Sequence, residues 1–163
     1  MRDSLKLVFI ILLFISCKDL KKDEFITTEA RILVGFRLNT YFKNNPIQLT
    51  RIENDSTIIF KYRNLADSTR SLKFLYEKNK DRIWHGQFQF QLTTKQIQFS
   101  NIRFTKYEGD INIDDGMGPI LFNEKYGILA WDSGWGTQNH YLTKENFDEL
   151  NLPIIFNMND LVE

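Results

Sequence analysis

Trp84-His85-Gly86-Gln87-Phe88-Gln89-Phe90-Gln91-Leu92 is the stretch that decides the fold class. Trp84, Gly86, Phe88, Phe90 and Leu92 share one parity, and His85, Gln87, Gln89 and Gln91 share the other. Side chains alternate between the two faces of a strand, so a period of two sets an apolar face against a core and a polar face toward water. The stretch reads as one half-buried antiparallel strand. Its Gln row is a solvent-facing surface or a recognition face for a partner, and His85 lies in that row as a solvated residue.

The same texture extends both ways along the chain. Leu72, Phe74 and Tyr76 form a strand, and Asn79-Lys80-Asp81 turns it. Gln48 to Glu53 and Thr57 to Arg63 form a hairpin across Asn54-Asp55-Ser56, with a further turn at Asn44-Asn45-Pro46. Leu65 to Ser71 is a polar connection. Thr93-Thr94 reads as a turn. Ile97 and Phe99 then sit on one parity and Ile102 and Phe104 on the other, which predicts a bulge or kink at Ser100-Asn101. Pro119 to Asn123 and Tyr126 to Trp131 pair as strands joined near Glu124-Lys125. Thr143 caps a short helix through Leu150, with Phe147 and Leu150 inward. Pro153 ends it, and Ile154 to Phe156 make a last strand. Ile32, Val34, Phe36 and Leu38 alternate and favour a strand. Ala30, Leu33 and Phe36 also fit helical spacing, which leaves an α+β alternative with a helix near residues 29–43. The expected class is mainly β: an antiparallel β-sandwich or strongly curved sheet with one short C-terminal helix.

The first seventeen residues follow a different logic. Arg2 and Lys6 precede an apolar run from Leu7 to Ile15 of about nine residues, where a helix needs roughly twenty to span a bilayer. A basic start, a short apolar centre and a small residue at its end mark a secretory signal peptide. Phe14-Ile15-Ser16-Cys17 resembles the lipobox of bacterial lipoproteins, departing from it at Phe14, where Leu is usual. The resemblance implies that Cys17 becomes an acylated N-terminus, palmitate among its chains, in the lipid bilayer. Cys17 is the only cysteine, so the mature chain has no disulfide and no spare thiol. Lys18-Asp19-Leu20-Lys21-Lys22-Asp23-Glu24 has the composition of a solvated tether, continued by Phe25 to Thr28. Lys18 differs from the Asp of the best-known inner-membrane retention signal. The acidic and Lys cluster is similar to the short signal that carries some lipoproteins to the cell surface. The expected organisation is a signal peptide over 1–16, a lipidated Cys and tether over 17–28, and one β-rich domain over 29–163. The expected place is the outer membrane, on its periplasmic face or at the cell surface.

Charge excludes one class of partner. Basic and acidic residues number 21 each, leaving no surplus to release counterions from nucleic acid. About 147 residues remain after the leader, enough for one core, and Phe is its dominant large residue.

Candidate sites gather in the Gly-rich third quarter, where six of the eight glycines fall. Asp110, Asn112 and Asp114 offer hard oxygen ligands of the kind Ca²⁺ accepts. They resemble the start of an EF-hand loop, but Gly116 comes one residue late and Leu121 stands where a bidentate Glu would. Asp132-Ser133-Gly134 resembles the nucleophile segment of chymotrypsin-like proteases, but Trp131 and Trp135 replace its outer glycines and no Ala-Ala-His-Cys segment precedes it. Trp131, Trp135 and Tyr141 offer flat apolar surfaces, and Asp132, Gln138, Asn139 and His140 hydrogen bonds. That combination suits a sugar or peptide; the alternative is a hairpin tip with one Trp in the core and one on the surface. His85 and His140 are the only histidines, and their spacing supports no zinc site. No cofactor is implied.

The sequence therefore favours a non-catalytic envelope lipoprotein that binds an envelope protein or glycan. One alternative is a carboxylate- or metal-dependent hydrolase centred on the Gly-rich 109–140 region. Another is an envelope immunity or inhibitor protein.

Overall fold

Hairpin chemistry sets the architecture. Asn54 Oδ1 accepts the amides of Ser56 and Thr57 at 3.0 and 2.9 Å, turning β2 (Thr40–Glu53) into β3 (Thr57–Asn64). The computed structural model describes residues 24–38, 40–99, 101–109, 117–148 and 152–155. Within them lie β1 (Phe25–Arg37), β4 (Leu72–Glu77), β5 (Arg82–His85), β6 (Phe88–Phe99), β7 (Ile102–Gly109), β8 (Ile120–Asn123), β9 (Gly127–Asp132), β10 (Thr137–Leu142) and helix α1 (Lys144–Phe147). Each strand pairs antiparallel with its sequence neighbours, and β10 pairs back onto β1, from Ile32↔Leu142 to Arg37↔Thr137. The strongly curved sheet therefore closes on itself as a barrel. Closure pairs every strand on both sides over part of its length, which reduces the edge open to another chain.

Strand β1 settles the helix-or-strand ambiguity. Residues 31–37 are extended, with Leu33 packed inside and Val34 and Phe36 outside, so no helix occupies the described part of 29–43. The ladder also begins earlier than the composition implied. Phe25 to Thr28 pair with Glu53 to Thr50, so these four residues are strand rather than tether. Their side chains are exposed, and backbone pairing alone leaves no alternation to read.

Three other expectations change. Asn44-Asn45-Pro46 is not a turn but part of β2, with Pro46 opposite Ile32. β3 pairs with β2 only from Ile47 onward, so the missing proline N–H breaks no ladder bond on that side. Thr93-Thr94 is not a turn either. β6 runs through it, with a register irregularity between Leu92 and Gln96. The parity switch at 100–101 is the β6–β7 hairpin itself. Phe99 pairs with Ile102 and Asn101 has φ of 64°; facing residues of an antiparallel pair share one side of the sheet, and Ser100 lies outside the described residues. Ile154-Ile155 are helical rather than extended. Phe156 and Leu150 lie outside the described residues.

Two apolar clusters result. The first fills the barrel: Phe60 of β3 meets Phe122 of β8 with ring centroids 5.5 Å apart, and Tyr76 of β4 meets Phe122 at 4.8 Å. These strands are not neighbours, so the contacts cross the lumen. The second covers the outside of β7, β8, β9, β10 and β1, where Phe104, Leu121, Leu129 and Leu142 pack beneath Phe147, Leu152, Ile154 and Ile155. Thr143 Oγ1 accepts the Asn146 amide at 3.2 Å and so caps α1, as its sequence implied.

One contact spans the barrel from β3 to β9. At the bulge where Leu121↔Ala130 is followed by Phe122↔Ile128, the Ile128 N–H donates to the Tyr62 hydroxyl at 2.8 Å. Gly127, at φ of 87°, leaves the room: a Cβ there would lie 2.6 Å from that hydroxyl and 3.1 Å from the Phe60 ring. Gly127→Ala combines left-handed strain with overpacking and should cost about 2–4 kcal/mol. Urea denaturation should show the loss as a lower midpoint with an unchanged slope.

Candidate binding site at the open end of the barrel

Alternating strand direction divides the connections between two ends. Glu24 and the turns at 54–56, 78–81 and 124–126 lie at one end. Leu38, the 65–71 connection, Gly86-Gln87 and the 133–136 tip lie at the other. The six residues singled out between 131 and 141 belong to the second end and its walls, yet they do not converge.

Trp131 and Tyr141 point into the barrel core. Asn139↔Trp131 is a registered pair, so Tyr141 is the diagonal neighbour of Trp131 on the inner face. Neither the Trp131 Nε1 nor the Tyr141 hydroxyl has a hydrogen-bond partner among the described residues. Gln138 and His140 face the other way and clamp the C-terminal segment. The Ile154 N–H donates to His140 Nε2 at 3.1 Å and the Ile155 N–H to Gln138 Oε1 at 3.1 Å. His140 Nδ1 lies 3.3 Å from the Val34 carbonyl, so the neutral ring donates there and accepts at Nε2. With both nitrogens engaged and full burial, His140 is no general base. Asp132 is half-buried against Gly118 and accepts the Gly134 amide at 2.9 Å. Burial pushes its carboxyl up, against the pull of that amide. Trp135 stands exposed at the tip with φ of 55°. One Trp lies in the core and one on the surface.

His85 is placed differently from its sequence reading. The Gln-rich stretch is broken by a hairpin at Gly86-Gln87, with His85 opposite Phe88. His85 therefore joins the inner side, stacked on Phe74 at 4.6 Å and 5.1 Å from Trp131. Its Nδ1 sits 3.0 Å from the Lys73 carbonyl. Trp84 goes to the outer face, where its Nε1 donates to Glu77 at 3.1 Å.

The groups that sequence reasoning missed are polar. Tyr76 and Tyr107 both donate to Asp81 Oδ1, at 2.9 and 2.5 Å. Burial first, then that carboxylate, hold both phenols above their ordinary range. Arg31 is buried under the β1–β10 seam. It donates to the carbonyls of Tyr126 and Tyr141 at 2.9 and 3.4 Å and lies 3.8 Å over the Tyr126 ring. Their signal in the sequence is faint, because each depends on chain segments far apart.

Concave surface occurs at both ends. Toward the Glu24 end a hollow of about 800 Å³ is lined by Thr27, Glu29, Arg51, Glu53 and Lys125 among others. Much of its charge is internally matched: Glu53 pairs with Arg51 and Lys78, and Glu29 with Arg31. The Lys78 hydrogen bond holds the Glu53 carboxyl below the usual range. Toward the Leu38 end a hollow of about 350 Å³ lies against the β3–β4 pair, lined by Lys61, Arg63, Ser68 and Lys73 among others. No carboxylate is in ion-pair distance of these three cations among the described residues.

No group of three His, Cys, Asp or Glu side chains able to hold a metal ion occurs among the described residues. Asp110, Asn112 and Asp114 lie outside them. No protein-family model, curated protein or solved structure matches this chain.

The His140 clamp carries a pH dependence. Burial lowers its pKa from 6.5 to about 4. A folded-state value below the unfolded one means that stability present above pH 6.5 is lost as pH falls toward 4. The full loss is about 3 kcal/mol. His140→Gln keeps an acceptor but cannot titrate. Denaturation midpoints measured from pH 7 to pH 4 should fall more steeply for the parent than for this variant.

Proposed function

We propose that this chain is a lipoprotein of the bacterial cell envelope, anchored through Cys17, whose barrel is a non-catalytic binding module. The observation that supports the binding half is the hollow against the β3–β4 pair, whose Lys61, Arg63 and Lys73 are in ion-pair distance of no carboxylate among the described residues. The chain comes off the anchor at the Glu24 end of the barrel, and this hollow lies at the opposite end. A ligand there approaches from the side away from the bilayer. Two groups that the hydrolase alternative would draw on are engaged elsewhere, and Asp110 and Asp114 lie outside the described residues. Its one histidine in the region, His140, is spent on Ile154 and Val34, and Asp132 on a turn amide.

The anchoring half rests on the leader. Each buried CH₂ of an acyl chain adds about 0.8 kcal/mol, so several chains hold a protein where one holds it marginally. Cys17→Ala in the full chain should leave an uncleaved precursor that takes up no fatty-acid label in Gram-negative cells. Labelling equal to that of the parent would end the lipoprotein reading.

A further inference from the structure

Antiparallel pairing aims the N–H and C=O of alternate residues at each neighbouring strand. Pro46 of β2 has no N–H, and its carbonyl accepts the Leu65 amide at 3.2 Å, just past the end of β3. Residue 46 is therefore turned toward β3, and its facing residue Ile32 toward β10. Counting back along β1 from Ile32, Arg31, Glu29 and Thr27 face β2, while Ala30, Thr28 and Ile26 face away from it. The ladder to β10 stops at Ile32↔Leu142. The N–H and C=O groups of Ile26, Thr28 and Ala30 thus have no strand partner among the described residues.

This edge borders open space. Two hollows of about 800 and 650 Å³ share Glu29, Asn123 and Lys125 in their linings, and lie between β1 and the β8–β9 turn. Toward β10 the seam is closed by Arg31 over the Tyr126 ring. Natural sheets guard open edges with proline, bulges or charge. Two other long stretches lack a neighbour on one side, and both are guarded. Residues 40–46 of β2 contain Pro46 and a register irregularity, and residues 92–99 of β6 contain Lys95 and another. Residues 25–31 of β1 have neither proline nor irregularity, and their two charges, Glu29 and Arg31, neutralise each other. Ile26, at the start of the edge, is 58% exposed.

From this juxtaposition we propose that residues 26–30 of β1 dock an extended peptide segment of a partner protein, which adds a strand in line with β10 and lies along the two hollows. Main-chain bonds to Ile26, Thr28 and Ala30 hold it, so an extended backbone is recognised more than one sequence. Alternate side chains of the peptide enter the hollows. These carry both signs of charge, Arg103 and Lys125 with Glu124 and Glu145, and so suit polar side chains. The edge lies at the Glu24 end of the barrel, apart from the hollow against β3–β4, and either can fail without the other.

Random dodecapeptides displayed on phage are selected against the full chain in dodecyl maltoside micelles, and the enriched peptides are synthesised. They should bind saturably. At saturation, amide exchange read residue by residue by NMR should slow at Ile26, Thr28 and Ala30 and change little at Thr27 and Glu29, whose N–H groups are already in the β2 ladder. Thr28→Pro removes one N–H of the open edge and should lower peptide affinity about tenfold or more. Its denaturation midpoint should stay level with the parent, because the ladder bonds to β2 come from Thr27 and Glu29. Thr28→Val keeps the N–H and should keep the affinity. No enrichment over protein-free micelles, protection elsewhere than residues 26–30, or full affinity in Thr28→Pro would overturn the proposal. A dimer in sedimentation that Thr28→Pro dissolves would also overturn it, by giving the edge to a second copy of this chain.

Discussion

Closure through β1 is the constraint on which the rest depends. This strand pairs with β2 on one side and β10 on the other, and it contributes to both apolar clusters. Leu33 points into the lumen, and Val34 and Phe36 into the outer cluster under the C-terminal segment. The seam is reinforced where β9 and β10 part. There Tyr126 donates to the Tyr141 carbonyl at 3.0 Å, and Arg31 bridges that carbonyl to Tyr126. A buried guanidinium is tolerable only when its donors are used, and here they reach two carbonyls and Glu29.

The same constraint explains what could be read from the chain. A strand with one wet face shows period two, and β3 and β4 were legible for that reason. A strand buried on both faces shows a near-continuous apolar run. Residues 32–36 of β1 are such a case, which is why helical spacing competed with alternation there. β9 is another, buried from Gly127 to Trp131. Hairpins with side-chain chemistry, such as Asn54 and Thr57, announced themselves. The two-residue hairpin at Gly86-Gln87 did not. Trp84, an apolar residue on the outer face, prolonged the pattern of Phe88 and Phe90 and hid the change of face, and His85 was assigned to the wrong side with it.

The candidate site was legible only in part, for a related reason. Trp131 and Tyr141 share the inner face because the 133–136 tip sets Asn139 opposite Trp131. Gln138 and His140 then face outward, where a sequence reading expects solvent. Their burial is imposed by Ile154 and Ile155, a dozen or more residues further on. No local pattern encodes that cover. The facing of Lys61 and Lys73 also needs the register of β3 against β4, which periodicity leaves open.

The two walls of the barrel therefore carry different burdens. The wall from β7 round to β1 is sealed by α1 and the 152–155 segment, and its polar residues serve that seal. The wall from β2 to β5 carries a cross-strand row, Ile52↔Ile59↔Leu75↔Trp84, whose members are half-buried and belong to neither cluster. Lys61 and Lys73 lie in the next outward row toward the open end. In the sealed wall His140 and Arg31 are matched to backbone groups, and Gln138 accepts the Ile155 amide through Oε1 while its Nε2 has no partner among the described residues. In the β2–β5 wall the row toward the open end keeps facing cations with no matching carboxylate among the described residues. Satisfied polar groups lock a structure, whereas unmatched charge raises the energy of the free protein and lowers it on meeting an anion. The inner cluster draws on both walls, with Phe60 and Phe74 packed against Phe122 and Trp131, so the two walls share one core and differ in what covers their outer faces.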